Sequence, residues 1–255
     1  MKLYIVYNTA YMVYIYHMRK INFKIQKKIL HALAHEMDDF YLVGGTALSM
    51  VYFNHRESYD LDFFTKTFSK KRVVQIMENL QENLKIKAEL IGEQTNKKMI
   101  NMIVYMFQFS DKSLCKIDFV EDFVKRISSL RNVDGINVLS LEDIYLRKIF
   151  AVAGHVKAQD TTGKDIMAGG RQESKDFYDL YCLSNIVTPL SQFVSQLNEP
   201  TLKEGVIHWY RTYDRMLMRT GLLDLVTNKK IDVRLMEAHF QKEIEALILE
   251  DIDEG

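Results

Sequence analysis

Apolar and polar positions alternate at short period only in the first half of the chain. Residues 40–43 form a brief apolar run, and residues 60–64 read Asp-Leu-Asp-Phe-Phe. Three further strand-like runs follow at 86–91, 99–109 and 114–120, separated by polar turns at 92–98 and 110–113. Between the strands, residues 22–37 repeat apolar side chains every three or four positions (Ile25, Ile29, Leu33; Leu30, Ala34, Met37) and predict a helix. Residues 69–84 predict another, with charge on one side, and a helix is expected to open at about Thr46. Beyond residues 131–139 the strand pattern fades. Ser140 with Asp143 resembles a capping arrangement and opens a helix to about residue 156. Residues 157–170 carry three glycines and no hydrophobic period, which predicts a loop. Residues 173–185 form an amphipathic helix with Phe177, Leu180 and Tyr181 on its apolar side and Asp176 and Asp179 as surface neighbours. Pro189 suits the first position of a later helix, Trp209, Tyr210 and Tyr213 suit a core, and the acidic C-terminus is expected to fray.

The pattern predicts an α/β (α+β) protein. A small mixed sheet with flanking helices occupies residues 22–135, a helical C-terminal domain occupies 136–255, and the boundary falls in 131–139. Residues 1–17 are rich in tyrosine and almost free of charge. They lack a small-x-small cleavage site and are too short and polar to span a bilayer, so residues 1–21 are expected to be a loosely docked extension, with Met18 an alternative start. No later segment is long and apolar enough to span a bilayer. Lys+Arg 34 against Asp+Glu 34 gives net zero charge, so a polyanion must be held by a local patch. Two scattered cysteines, Cys115 and Cys182, make no disulfide framework and suit the cytoplasm.

The chemistry concentrates in residues 40–64. A strand, the Gly44-Gly45 turn, a helix and a second strand follow one another, and the period of two sets Asp60 and Asp62 on one strand face. Two carboxylates among aromatics are costly without a cation between them, and a hard divalent ion such as magnesium is the natural candidate. The glycine pair lets backbone approach a phosphate at the start of the next helix. In Lys116-Ile117-Asp118-Phe119 the same alternation isolates Asp118 from its apolar neighbours; a solvent-facing aspartate on an amphipathic strand would show this pattern too. His31 and His35 lie four apart, but Ala32 stands where a zinc-protease motif needs glutamate, so they read as ordinary surface or core histidines.

Gly44-Gly45-Thr46-Ala47-Leu48 followed by His55-Arg56-x-Ser58-x-Asp60-Leu61-Asp62-Phe63-Phe64 resembles the signature of the AbiEii/AbiGii-type nucleotidyltransferase toxins, within the DNA polymerase β-like nucleotidyltransferase superfamily. In the second half, Lys148, Arg171, Lys175, Asp176, Asp179 and Leu180 match that family's lysine, arginine and K/R-D-x-x-D-L pattern. The stretch between Lys148 and Arg171 is longer than in compact members, a departure that bears on Arg171.

The resemblance implies a nucleotidyltransferase-type sheet domain followed by a helical domain, with the site in the cleft between them. It implies that Asp60, Asp62 and Asp118 hold one or two magnesium ions, and that Lys148 and Asp176 complete the catalytic set. Gly44, Gly45, Thr46, Arg56, Ser58, Lys148 and Arg171 would then contact the NTP. The proton of the attacking hydroxyl would pass to Asp118 or Asp176. The implied acceptor is RNA, with the tRNA 3′ end known for some relatives, and the implied partner is a separately encoded antitoxin. Lys66, Lys70, Lys71 and Arg72, with Lys125, Arg126 and Arg131, are the residues expected to gather RNA. Transfer to a protein or a small molecule such as an aminoglycoside, and a non-catalytic nucleotide-binding module, are the alternative readings.

Overall fold

The computed structural model of the chain describes residues 23–96, 99–110 and 113–253. The expected N-terminal extension and the alternative start at Met18 lie outside the described residues. The chain divides into two compact units, one of residues 23–46, Tyr59–Lys125 and Leu130–Val138, the other of Ala47–Ser58, Arg126–Ser129 and residues 139–253.

The first unit is a mixed sheet with helices. α1 (Phe23–Leu33) leads to β1 (Tyr41–Leu42), α2 (Gly44–Ala47), β2 (Asp60–Thr65) and α3 (Lys70–Leu84). Then come β3 (Ala88–Gln94), β4 (Met102–Gln108), β5 (Leu114–Glu121), β6 (Arg131–Val133) and β7 (Ile136–Val138). The strand order is β3-β4-β5-β2-β1-β7-β6. The β2–β5 and β1–β7 pairs are parallel and the others antiparallel. Leu61 and Phe63 of β2 and Ile117 and Phe119 of β5 are fully buried, as the period of two requires. Phe119 stacks on Phe63 at 5.9 Å and meets the edge of Phe40 at 5.3 Å. α1 and α3 pack together, with Ile29 and Leu33 of α1 and Val73, Ile76, Met77 and Leu80 of α3 buried. Ser69 caps α3 by accepting from the Arg72 amide.

Three expectations about this half change. Residues 131–139 are a hairpin rather than a plain connection. Asp134 and Gly135 turn it with φ of 50° and 82°, the doubly positive geometry that Asp-Gly favours. β7 then joins the sheet by pairing Val138 with Leu42. The helix expected at Thr46 begins at Gly44 and is a single turn, continued as a π-helix over Leu48–Phe53. Lastly, the helix expected over 22–37 ends at Leu33; His35 lies beyond it with φ 65° and donates its amide to the Gly135 carbonyl, and both His31 and His35 are exposed, as ordinary surface histidines are.

The second unit is mostly helical: α4 (Leu141–Ala153), α5 (Ser174–Ile186), α6 (Leu190–Leu197), α7 (Pro200–Thr212), α8 (Arg215–Leu223) and α9 (Val233–Asp253). Ser140 caps α4 by accepting from the Asp143 amide, and the fully buried Asp143 carboxylate accepts from the amides of Ile127 and Ser128. α4 ends at Ala153, three residues early, because the segment expected to be a loop is a second hairpin, β8 (Gly154–Gln159) with β9 (Asp165–Gly169). Its signal is weak since most of its side chains are exposed or half-buried and show no alternation. Pro189 takes the cap position of α6, and it is Pro200 that stands inside the first turn of a helix. The C-terminal helix runs on to Asp253. Phe177 packs on Phe240 at 4.4 Å, on Tyr213 at 5.2 Å and on Trp209 at 5.7 Å, so the aromatic residues of α7 are core.

Removing the Phe119 ring leaves a cavity against Phe63 and Phe40. Phe119→Ala is expected to cost about 3–5 kcal/mol of unfolding free energy, measured by urea denaturation. A loss below about 1 kcal/mol would show that the sheet face does not depend on that aromatic contact.

Candidate active site

The first unit brings the expected carboxylates together by strand register. β2 and β5 pair in parallel with Asp60 opposite Lys116 and Asp62 opposite Asp118. All four are on the face opposite the buried Leu61, Phe63, Ile117 and Phe119. Lys116 lies between two acids, its Nζ 2.8 Å from Asp118 Oδ2 and 3.5 Å from Asp60 Oδ2. Asp118 Oδ1 is buried and has no hydrogen-bond partner. Burial, with Asp62 and Asp60 nearby, pushes the Asp118 carboxyl up to about 7 despite Lys116. The Lys116 ammonium is depressed by burial but is held above its ordinary range by Asp60 and Asp118. Among the described residues no three His, Cys, Asp or Glu side chains are arranged to hold a metal ion. The ammonium of Lys116 stands within that acidic face instead.

The glycine turn is tied to the same face. The Val43 amide donates to the Asp62 carbonyl at 2.9 Å. Gly44 has φ 71°, and a Cβ there would lie 2.8 Å from Asp62 Oδ2. Only glycine lets backbone and carboxylate approach this closely. Gly45 is half-buried at the start of α2, and Thr46 is buried with its hydroxyl donating to the Asp60 carbonyl. Thr46 thus fixes the start of β2. Ser58 is half-buried and lies in the other unit.

The second unit gathers Arg56, Lys148, Arg171, Asp176 and Asp179, and adds His55. Asp176 and Asp179, expected on the surface of α5, are fully buried. Their burial follows from three cations. Arg56 grips Asp179 bidentately, Nε to Oδ1 and Nη2 to Oδ2 both at 2.7 Å. Lys148 Nζ is 2.6 Å from Asp179 Oδ2 and 2.6 Å from Asp176 Oδ1. Arg171, half exposed, reaches Asp176 with Nη2 at 3.0 Å and with Nε. His55 Nε2 lies 2.8 Å from Asp179 Oδ1, and its ring stacks on Tyr178. Burial alone would raise both carboxyls. Lys148 and Arg171 instead hold Asp176 at about 2, and Arg56 and Lys148 hold Asp179 well below the ordinary range. Lys148, expected to offer a point charge to phosphate, is buried between two carboxylates.

Two participants escaped the sequence analysis. Lys116 was legible as a member of the acidic face, since it is two residues from Asp118 on one strand. The link from His55 and Arg56 to Asp179 spans more than 120 positions and leaves no local pattern.

The profile of one family, described as nucleotidyl transferase AbiEii toxin of type IV toxin–antitoxin systems, matches residues 28–254. The chain belongs to the AbiEii nucleotidyltransferase toxin family. Solved structures agree on the fold. JHP933 from Helicobacter pylori superposes with a TM-score of 0.55 at 15% identity, over 92% of this chain and 97% of that one. MenT4, a nucleotidyltransferase toxin from Mycobacterium tuberculosis, gives a TM-score of 0.51 at 12% identity, over 88% and 82%. No curated protein sequence matches this chain. This AbiEii-family chain is therefore a nucleotidyltransferase, the toxin of a type IV toxin–antitoxin system, and the family implies an NTP substrate and a separate antitoxin. Among the described residues no helix is long and apolar enough to cross a membrane.

Lys148→Met removes the cation shared by two fully buried carboxylates and is expected to cost about 3–5 kcal/mol of stability. Near-wild-type unfolding would show that Arg56 and Arg171 suffice. The stability contributed by Asp176 is fully present above about pH 4, its unfolded value, and is lost as pH falls through the folded value near 2. Denaturation from pH 5 downward should therefore show a steep loss in wild type and a shallower one in Asp176→Asn. Parallel curves would contradict the burial of an ionised Asp176.

Proposed function

We propose that this AbiEii-family toxin moves a nucleoside monophosphate from an NTP to RNA, at the tRNA 3′ end, with magnesium held by Asp60, Asp62 and Asp118. The observation that carries it is the β2–β5 register, which sets three carboxylates on one face and leaves a buried oxygen of Asp118 without a partner. The donor set fits a hard divalent ion, since it is all carboxylate oxygen. When bound, the metal supplies charge neutralisation on the triphosphate.

The chain's own residues do the rest. Gly44 lets the backbone lie close to Asp62, which a side chain would prevent, and the Gly44-Gly45 turn is assigned to the phosphates. Arg171, half exposed, is the cationic side chain assigned to the nucleotide, with Ser58 as a hydroxyl donor; Arg56 is buried with its donors on Asp179 and the Glu57 carbonyl, and the buried Thr46 hydroxyl is committed to the Asp60 carbonyl. Lys148 and Asp176 are positioning residues that fix the Arg56 and Arg171 guanidiniums through Asp179 and Asp176. The acceptor hydroxyl oxygen bonds to the α-phosphorus as the bond to pyrophosphate breaks. Its proton passes to solvent at this face, since a carboxylate engaged with the metal is no free base. Asp176, held near 2 with both oxygens in ion pairs, is too weak a base for that step.

The RNA acceptor rests on the family resemblance. Of the basic residues first assigned to it, Lys70 is paired with Glu93, Lys66 with Asp122 and Arg72 with Asp39, while Lys71 and Lys125 are exposed. The latter two are the better candidates for phosphate contacts.

Incubation with each α-labelled NTP, magnesium and total RNA should label RNA of tRNA size, and Asp62→Asn should lower the rate by at least about 100-fold while leaving the fold intact. Label on a protein or an aminoglycoside, with RNA unlabelled under every NTP, would reject the RNA acceptor. Wild-type rates in Asp62→Asn would reject the site.

A further inference from the structure

Lys116 contributes nothing to the apolar core: it points to the face that carries Asp60, Asp62 and Asp118. Its ammonium makes ion pairs with the acids of two strands, its neighbour Asp118 two positions along β5 and Asp60 directly across in β2. The side chain is only about a third exposed (29%), so these pairs are shielded from solvent on most sides. The face carries three carboxylates, and Lys116 is paired with two of them. Yet no three acids converge as a ready metal cage among the described residues. Lys116 draws Asp118 Oδ2 to itself, and the other oxygen is left unpartnered.

We propose that Lys116 is a resident counter-cation that competes with the divalent metal for Asp60 and Asp118, so that metal binds only as the ammonium gives up those carboxylates. The inference rests on the reading of this face as a metal site. Two physical consequences follow. Without metal, Lys116 relieves the repulsion among like charges fixed at one register and so stabilises the sheet. With metal, a unit positive charge within a few ångströms opposes the incoming ion and weakens its binding. The residue therefore sets how much free metal the enzyme needs before its carboxylates close on it. Removing a lysine that is merely structural would loosen the face and weaken metal binding, the opposite sign.

The test is Mn2+ binding to the full chain, followed by the electron paramagnetic resonance of free Mn2+, with thermal melts run alongside. Lys116→Met should bind Mn2+ at least about tenfold more tightly than wild type. Its metal-free melting temperature should fall, and added Mn2+ should raise that temperature more than it does in wild type. Lys116→Arg, which keeps the charge, should bind Mn2+ as weakly as wild type. Lys116→Gln serves if the Met variant is insoluble, and the same tightening is expected. Equal or weaker Mn2+ binding in the neutral variants, with wild type binding normally, overturns the competition and leaves the metal site standing. Absence of Mn2+ binding in wild type and in every variant overturns both the inference and the metal site.

Discussion

The parallel pairing of β2 with β5 is the constraint from which the rest of the acidic site follows. Pairing opposes Asp60 to Lys116 and Asp62 to Asp118, and the period of two then forces every one of these charges onto the same face. The register itself is held by the other face, where Leu61, Phe63, Ile117 and Phe119 are fully buried. A slip of one residue would bury the acids and expose the aromatics, so the hydrophobic core pins the charged cluster that opposes it. Lys116, paired with Asp60 and Asp118, offsets part of the repulsion among these like charges.

The second unit handles charge in another way. Asp176 and Asp179 lie wholly inside, where an ionised carboxylate is tolerable only when it is paired and hydrogen-bonded. Arg56, Lys148 and Arg171 supply that pairing, and Arg56 does so with both edges of its guanidinium. Such a network adds little net stability over a well-packed apolar core, but removing one member is severe. Its value is geometric, because it fixes guanidinium groups whose side chains would otherwise be free to move. The stretch from His55 to Asp62 therefore serves two units: His55 and Arg56 belong to the charge network, Asp60 and Asp62 to the acidic sheet face.

Much of this was legible in the sequence where the physics is local. Alternation in Asp-Leu-Asp-Phe-Phe and Lys-Ile-Asp-Phe assigned the faces of β2 and β5, and the family resemblance supplied the pairing that alternation cannot. The Asp134-Gly135 hairpin is equally local, a standard turn dipeptide between Val133 and Ile136, but its strands are only three residues each, too short to show much alternation. The β8–β9 hairpin is different, because its mostly exposed strands leave no buried period to detect. Helix spacing alone makes Asp176 and Asp179 surface neighbours, because it sees only adjacent acids. What pairs Asp179 is Arg56, 123 positions away, and no window on the sequence contains both.

The most direct test of the account is a crystal of the full chain soaked with Mn2+ and a non-hydrolysable NTP analogue, with the metal located by its anomalous scattering. The account predicts a peak bonded to carboxylate oxygens of Asp60 and Asp62, with Lys116 Nζ withdrawn from Asp60. A peak at some other group of residues, or none while the nucleotide is bound, would contradict it.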